Sequence, residues 1–311
     1  MDFYYSLGLG VCIVLAGMAM SVQAGAALVA WVSQIWGWQR RTPFLDKFGQ
    51  QMLGLSMVAF LSAVLGACAA LGLGYLQYGF ALEEIFHELP WLVLSWPLAG
   101  LGLGLVFSLL AAKTWKPLKK RKGLHAGILL IAWLGVWAAL YVGLNQYMQG
   151  LWKLSGLYRV SDIEAMWQVQ FSPSWVLLAG QALIVGLGGT GTLGLAYLLA
   201  RRNIEDFGRD YYRFALPQAA KWAVLLLGQP FFLAWVVYEE AQAVWLLSLK
   251  EMISLGASLG GFVLYGLLLI IFVRSANPLR AKASALGACV LGVVAGAAAA
   301  LSQLWIMGWL W

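Results

Sequence analysis

The feature that most constrains this chain is the recurrence of apolar runs of about 20 residues from one end to the other. Each run is as long as a helix must be to cross the hydrocarbon core of a bilayer. Of the 311 residues, 62% are hydrophobic and 11% charged, against roughly 25% charged in soluble domains. That leaves too little polar surface to cover a soluble globule, and it also excludes a disordered chain and a disulfide scaffold. In lipid every backbone polar group must be satisfied within the chain, so only helices or a closed barrel can span. None of the runs alternates with a period of two, which selects helices. Eight spans follow, at about 5–36, 49–78, 91–114, 125–147, 174–200, 217–243, 252–273 and 284–309. The expected fold is all-α: a polytopic membrane protein of eight transmembrane helices. The start, MDFYYSLGLG, has no basic n-region and no A-x-A cleavage site, so residues 5–30 read as a retained first span.

The charges set the expected orientation. Basic residues crowd the connections after spans 1, 3, 5 and 7. They are Arg40, Arg41 and Lys47; Lys113, Lys116, Lys119, Lys120, Arg121 and Lys122; Arg201, Arg202, Arg209, Arg213 and Lys221; and Arg274, Arg280 and Lys282. The opposite side has only Lys153, Arg159 and Lys250, and it holds most of the acidic residues. The positive-inside rule then puts the basic connections in the cytoplasm and both termini outside, in a cytoplasmic membrane. The net charge of +7 is therefore a topology signal, and no nucleic-acid partner is expected. Trp31, Trp36, Trp38, Trp115 and Trp222 fall near the inner interface. Trp91, Trp96, Trp152, Trp167, Trp175, Trp245, Trp305, Trp309 and Trp311 fall near the outer one.

A weak 4+4 repeat is visible. Span 1 ends in Arg40-Arg41, followed by Asp46 and Phe48; span 5 ends in Arg201-Arg202, followed by Asp206 and Phe207. The expected organisation is two four-helix bundles, 1–147 and 173–311. An extracytoplasmic amphipathic connection at 148–172 joins them on the outer membrane surface.

Three observations bear on chemistry. First, residues 186–191 read Gly-Leu-Gly-Gly-Thr-Gly, formally a dinucleotide fingerprint. That fingerprint needs a strand before it and a helix after it, and here it lies within a span, where small residues serve close helix packing. Second, no Asp, Glu, Lys or Arg falls near the centre of any span, which weighs against an ion relay. The polar groups inside spans are uncharged: Gln23, Asn145, Gln181, Thr190, Thr192 and Gln229. Third, the outer side gathers acids, a histidine and aromatic rings: Glu83-Glu84-Ile-Phe-His87-Glu88, then Pro90-Trp91, and Tyr238-Glu239-Glu240. A quinol site needs an apolar slot, a hydrogen bond to each quinone oxygen and a group to take protons. Glu83, His87, Glu239 and Glu240 are the candidates for proton handling, and Trp91, Tyr238 and Gln229 for lining the slot. The alternatives are a solvated acidic rim or a docking face for a basic partner such as a cytochrome. No metal site is expected: Cys12, Cys68 and Cys289 lie in apolar runs without a CxxC pair, and His87 and His125 sit near span ends on opposite sides.

Lys47-Phe48-Gly49 with Gln50-Gln51-Met52-Leu53-Gly54, Thr190-Gly191, Arg201-Arg202, Arg213-Phe214 and Tyr238-Glu239-Glu240 occur in an order that resembles subunit I of the cytochrome bd quinol oxidases. The resemblance covers spans 1–2 and 5–6. It implies quinol contact within a respiratory assembly, with the quinol-binding segment opening at Tyr238. Span 1 has no His, and span 5 has Gln181 nearest the place of the family's haem ligand. The long quinol loop and the paired carboxylates of the third span are missing too. Oxygen reduction and the haem set are accordingly not carried over, and no haem held by this chain alone is expected. The architecture is also similar to haem-free, eight-span quinone anchors of the polysulfide reductase (NrfD-like) type. The expected function is a membrane subunit of a respiratory electron-transfer complex. It would bind menaquinone or ubiquinone near the outer face and exchange electrons with partner subunits, cytochrome c or iron–sulfur proteins. A permease for a neutral or apolar solute and a purely structural, haem-free anchor are the competing expectations.

Overall fold

The structure is a computed structural model. It describes residues 2–88, 91–154, 173–202, 204–205, 207–240, 249–275 and 277–306, and at several helix ends it describes the backbone alone. Those residues are all helical or in short connections. The helices are α1 (Asp2–Arg40), α2 (Pro43–Glu88), α3 (Trp91–Thr114), α4 (Lys122–Leu154), α5 (Pro173–Arg201), α6 (Arg209–Ala223), α7 (Gln229–Glu240), α8 (Leu249–Arg274) and α9 (Lys282–Ile306). A 3-10 stretch, Val224–Gly228, joins α6 to α7 without a gap. Another, Pro117–Lys120, leads into α4.

Among the described residues, six helices are long and apolar enough to cross a membrane: Leu7–Arg40, Pro43–Leu76, Lys122–Val142, Leu178–Arg201, Met252–Arg274 and Lys282–Gln303. The chain is a multi-pass membrane protein on that ground. The sequence spans at 91–114 and 217–243 are not among the six. In the first, the apolar stretch of described side chains, Leu98–Thr114, is shorter. In the second, the helix is split. Pro230 has no N–H to give the carbonyl four residues back, and its ring crowds that carbonyl. The chain answers by tightening into the 3-10 turn immediately before Gln229 and Pro230.

α1 lies at the centre. It packs along α2 and against α4, α5 and α9, while α3 packs chiefly on α4 and α8 on α9. α5 packs against α1, α6, α7 and α9. The α1–α5 seam depends on missing side chains. A Cβ on Gly25 would overlap the Gly186 carbonyl, and one on Gly186 would overlap the Ser21 carbonyl. Backbones can approach this closely only where both helices present small residues. The same applies where α5 meets the α6–α7 break: a Cβ on Gly188 would strike the backbone of Leu226, and one on Gly191 that of Ala223. The Gly-Leu-Gly-Gly-Thr-Gly run is thus mid-helix, at the tightest contacts of the bundle.

The buried core runs along this seam through Ala26, Val29, Met52, Leu195, Leu198, Tyr211, Tyr212, Ala219 and Tyr265. Leucine, isoleucine and valine side chains on α2, α3 and α8 are exposed instead, among them Leu65, Val106 and Val263. In a bilayer such a surface faces lipid.

Candidate functional site

The ion pairs and cation–π contacts of the described residues all lie at the end of the bundle that carries the basic connections. α1 ends there in a Schellman motif. Arg41 adopts φ 52, and the Thr42 N–H donates to the Gly37 carbonyl at 3.1 Å. Pro43 then starts α2 at once, so Asp46, Lys47, Gln50 and Gln51 all ride on one helical ribbon. Asp46 pairs with Lys122 at the start of α4. Next to that pair, His125 is buried. Its Nδ1 lies 2.8 Å from Gln34 Oε1 and its Nε2 lies 2.9 Å from the Ala111 carbonyl. The Trp115 ring meets the imidazole edge-on at 4.7 Å. Both ring nitrogens are thereby occupied, so His125 ties α1, α3 and α4 together.

The second polar group joins the two halves of the chain. Tyr211 of α6 is fully buried, and its hydroxyl donates to Gln51 Oε1. Gln51 Nε2 donates to Glu205 Oε2 at 3.2 Å. Arg201 approaches Glu205 at 3.5 Å and donates from Nε to the Tyr197 hydroxyl at 3.1 Å. The Tyr212 hydroxyl donates to the Glu205 backbone carbonyl at 2.8 Å. Lys47 Nζ sits over the rings of Phe207 and Tyr211, 4.8 and 5.9 Å from their centroids. Burial holds the Tyr211 phenol protonated well above the usual range for tyrosine, and the neighbouring Tyr212 and Glu205 add to the effect.

A cleft of about 180 Å³ opens beside this chain of hydrogen bonds. Gln50, Gln51, Tyr197, Arg201 and Glu205 form its polar wall, and Leu53, Gly54, Met57 and Ala112 its apolar one. The Tyr197 hydroxyl occupies the space that a Cβ on Gly54 would take. The sequence motifs that carried the family resemblance, Gln50–Gly54 and Arg201-Arg202, thus meet in three dimensions, though 154 positions separate Gln51 from Glu205. Tyr197, Glu205 and Tyr211 were not candidates from sequence. The available signal was an aromatic and acidic cluster flanking the double arginine.

The sequence candidates lie elsewhere. Glu83 and His87 fall in the last turns of α2, Trp91 opens α3, and Tyr238, Glu239 and Glu240 close α7. Their side chains lie outside the described residues, as does most of the 148–172 connection. α2 is helical to Glu88, so the Glu83–Glu88 acids continue that helix and do not sit in a loop after residue 78. Gln51 and Tyr211 mark a common level. At 1.5 Å per residue, His87 lies about 54 Å beyond it along α2, and Tyr238 about 40 Å along α6–α7. Gln229 is 2% exposed and sits about 14 Å below Tyr238 on α7. It belongs to the interior, where its Oε1 has no partner among the described residues. Among the other buried amides, Gln23 has a likewise unpartnered Oε1, and Gln181 donates to Gln303 Oε1 at 2.8 Å.

No protein-family model matches this chain, and neither does any curated protein or solved structure. Among the described residues no group of His, Cys, Asp and Glu has the grouping of a metal site.

Proposed function

We propose that this chain is an integral subunit of a quinone-linked electron-transfer complex in a cytoplasmic membrane. It crosses eight times, with the basic connections in the cytoplasm, both termini outside and a 4+4 arrangement of helices. The observation that carries the reading is the segregation of charge. Every buried polar side chain among the described residues is an amide, a hydroxyl or the imidazole of His125, and none is Asp, Glu, Lys or Arg. Ion pumps and ion-coupled transporters usually place ionisable groups at mid-membrane. A protein that works on a lipid-soluble substrate and exchanges electrons with partners needs its charges at the ends. On this reading Glu83, His87, Glu239 and Glu240 handle quinol protons at the outer face, and Trp91 and Tyr238 line the slot. Cytochrome c or iron–sulfur subunits dock on the same acidic side. The quinone is menaquinone or ubiquinone, and this chain alone holds no haem.

Purification of the full chain from native membranes in mild detergent tests the reading. Redox subunits in fixed stoichiometry, with quinone in the lipid extract, are the expected result. The chain alone, with no quinone, would overturn it. A His87→Ala variant with unchanged quinol turnover would remove His87 from the site.

A second reading has one observation in its favour. Transporters bind solutes where helices are broken near mid-membrane, and the Val224–Gly228 break brings the unpartnered amide of Gln229 into the bundle interior. α2 is unbroken through the corresponding stretch, so the first half lacks the matching break that a two-repeat permease would have. Uptake of a neutral solute by vesicles containing only this chain would favour the permease.

A further inference from the structure

The cleft at the basic end has no role in the outer-face reading. Its volume of about 180 Å³ is smaller than the roughly 300–1,000 Å³ of pockets that take a drug-sized ligand. It has room for one substituted ring, and the rest of any amphiphile must lie outside. The wall decides the chemistry of that ring. Glu205 offers a carboxylate to a hydroxyl donor, while Tyr197, Gln50 and Gln51 offer groups to a hydroxyl or carbonyl. The Arg201 guanidinium is already engaged by Glu205 at 3.5 Å and Tyr197 at 3.1 Å. A phosphate would meet the Glu205 carboxylate without an uncommitted cation opposite it, which disfavours an anionic lipid headgroup. A neutral ring that both donates and accepts fits the wall.

The apolar side supplies a path for a tail. Gln50, Gly54 and Met57 follow one another at helical spacing, and the same face of α2 continues through Leu61 and Leu65. Those two side chains are 62% and 71% exposed. The cleft therefore opens along α2 onto a surface that faces lipid.

We propose that the cleft between α2, α3 and α5 binds the ring of a membrane quinol at the basic end of the bundle, with its isoprenoid tail lying along the Met57–Leu61–Leu65 face of α2. This rests on the quinone reading above and adds a site to it. One quinol hydroxyl donates to Glu205, and the Tyr197 hydroxyl donates to the oxygen across the ring.

The test is photo-labelling of the full chain in nanodiscs with a ring-azido ubiquinone, reduced and oxidised, mapped by peptide mass spectrometry. The expected label falls in peptides 50–57 and 197–205 and is competed by unlabelled quinol. Ala112→Phe narrows the cleft from an exposed position and is expected to cut that label at least fivefold. Glu205→Gln is expected to weaken the reduced probe threefold or more relative to the oxidised one. Competed label confined to 83–91 or 238–240 would overturn the cleft site and leave the quinone reading standing. No competed label in any peptide would overturn both. Label in 50–57 that Ala112→Phe leaves unchanged would also overturn the cleft site.

Discussion

The α1–α2 hairpin turns within Arg41 and Thr42, and α2 then runs unbroken for 46 residues. The α5–α6 hairpin turns over 202–208, and its second helix changes to 3-10 geometry at Val224–Gly228 before continuing as α7. Both hairpins leave a double arginine and pass through a residue of positive φ: Arg41 at 52 and Gly208 at 83. The second hairpin uses the residue type for which that conformation carries no Cβ penalty. The first accepts strain in exchange for a turn so short that α2 starts against the end of α1. The breaks differ for a related reason. α5 presses Gly188 and Gly191 onto the backbone at Leu226 and Ala223, and the loosened carbonyl of Ala223 accepts a hydrogen bond from the Tyr265 hydroxyl at 2.7 Å. α2 has neither a proline nor such a neighbour in its apolar stretch. One hairpin is thus a continuous rod that carries the cleft, and the other is a jointed one held by side chains from α8.

Predictions that break or sharpen this contrast can be ranked by size. Gly186→Val forces a side chain into the α1–α5 seam that unites the hairpins. It should destabilise the chain by about 3 kcal/mol, the upper range for overpacking, read as a drop in melting temperature in detergent. Tyr265→Phe removes the donor at the joint and also the contact to Thr192 at 2.6 Å. It should cost about 1–3 kcal/mol and speed hydrogen exchange at 224–230 while leaving α2 unaffected. Tyr211→Phe removes the link between Gln51 and α6, costing about 1 kcal/mol at neutral pH.

The same variant has a pH signature. The folded phenol is held above its ordinary value by burial, while the unfolded chain ionises near pH 10. Above about pH 10 the unfolded state binds fewer protons, so stability falls as pH rises. Alkaline melting curves should be shallower in Tyr211→Phe than in the parent, and identical slopes would remove Tyr211 as the cause. At the turns, Gly208→Ala should destabilise by about 1 kcal/mol, and Arg41→Gly should stabilise by roughly half that, since it relieves strain but loosens the unfolded chain. Equal effects at the two turns would erase the contrast between them.

Much of this architecture was legible beforehand, because its causes are local. Apolar run length gave the helices, and Arg40-Arg41 and Arg201-Arg202 marked where two of them end. The break at Val224–Gly228 falls inside the span expected at 217–243, beside Gly228-Gln229-Pro230, where the proline acts on its own helix. The extension of α2 to Glu88 was missed because the change from apolar to acidic residues after 78 marks a change of solvent and not the end of a helix. His125 looked like an ordinary interfacial residue. Its burial between Gln34, Ala111 and Trp115 depends on two other segments of chain, α1 and the end of α3.

The sequence by itself determined that the chain is helical and multi-pass, and that its charges gather at helix ends. Both follow from the cost of placing an unpaired backbone group or a charge in hydrocarbon, and that cost is paid residue by residue. Only the tertiary structure decided which polar residues meet. Gln51, Tyr197, Arg201, Glu205 and Tyr211 form one network because α1 and α5 touch through Gly25 and Gly186, which brings the start of α2 against the end of α5. Such a contact depends on shape and on the absence of side chains at paired positions, and neither helix carries that information alone.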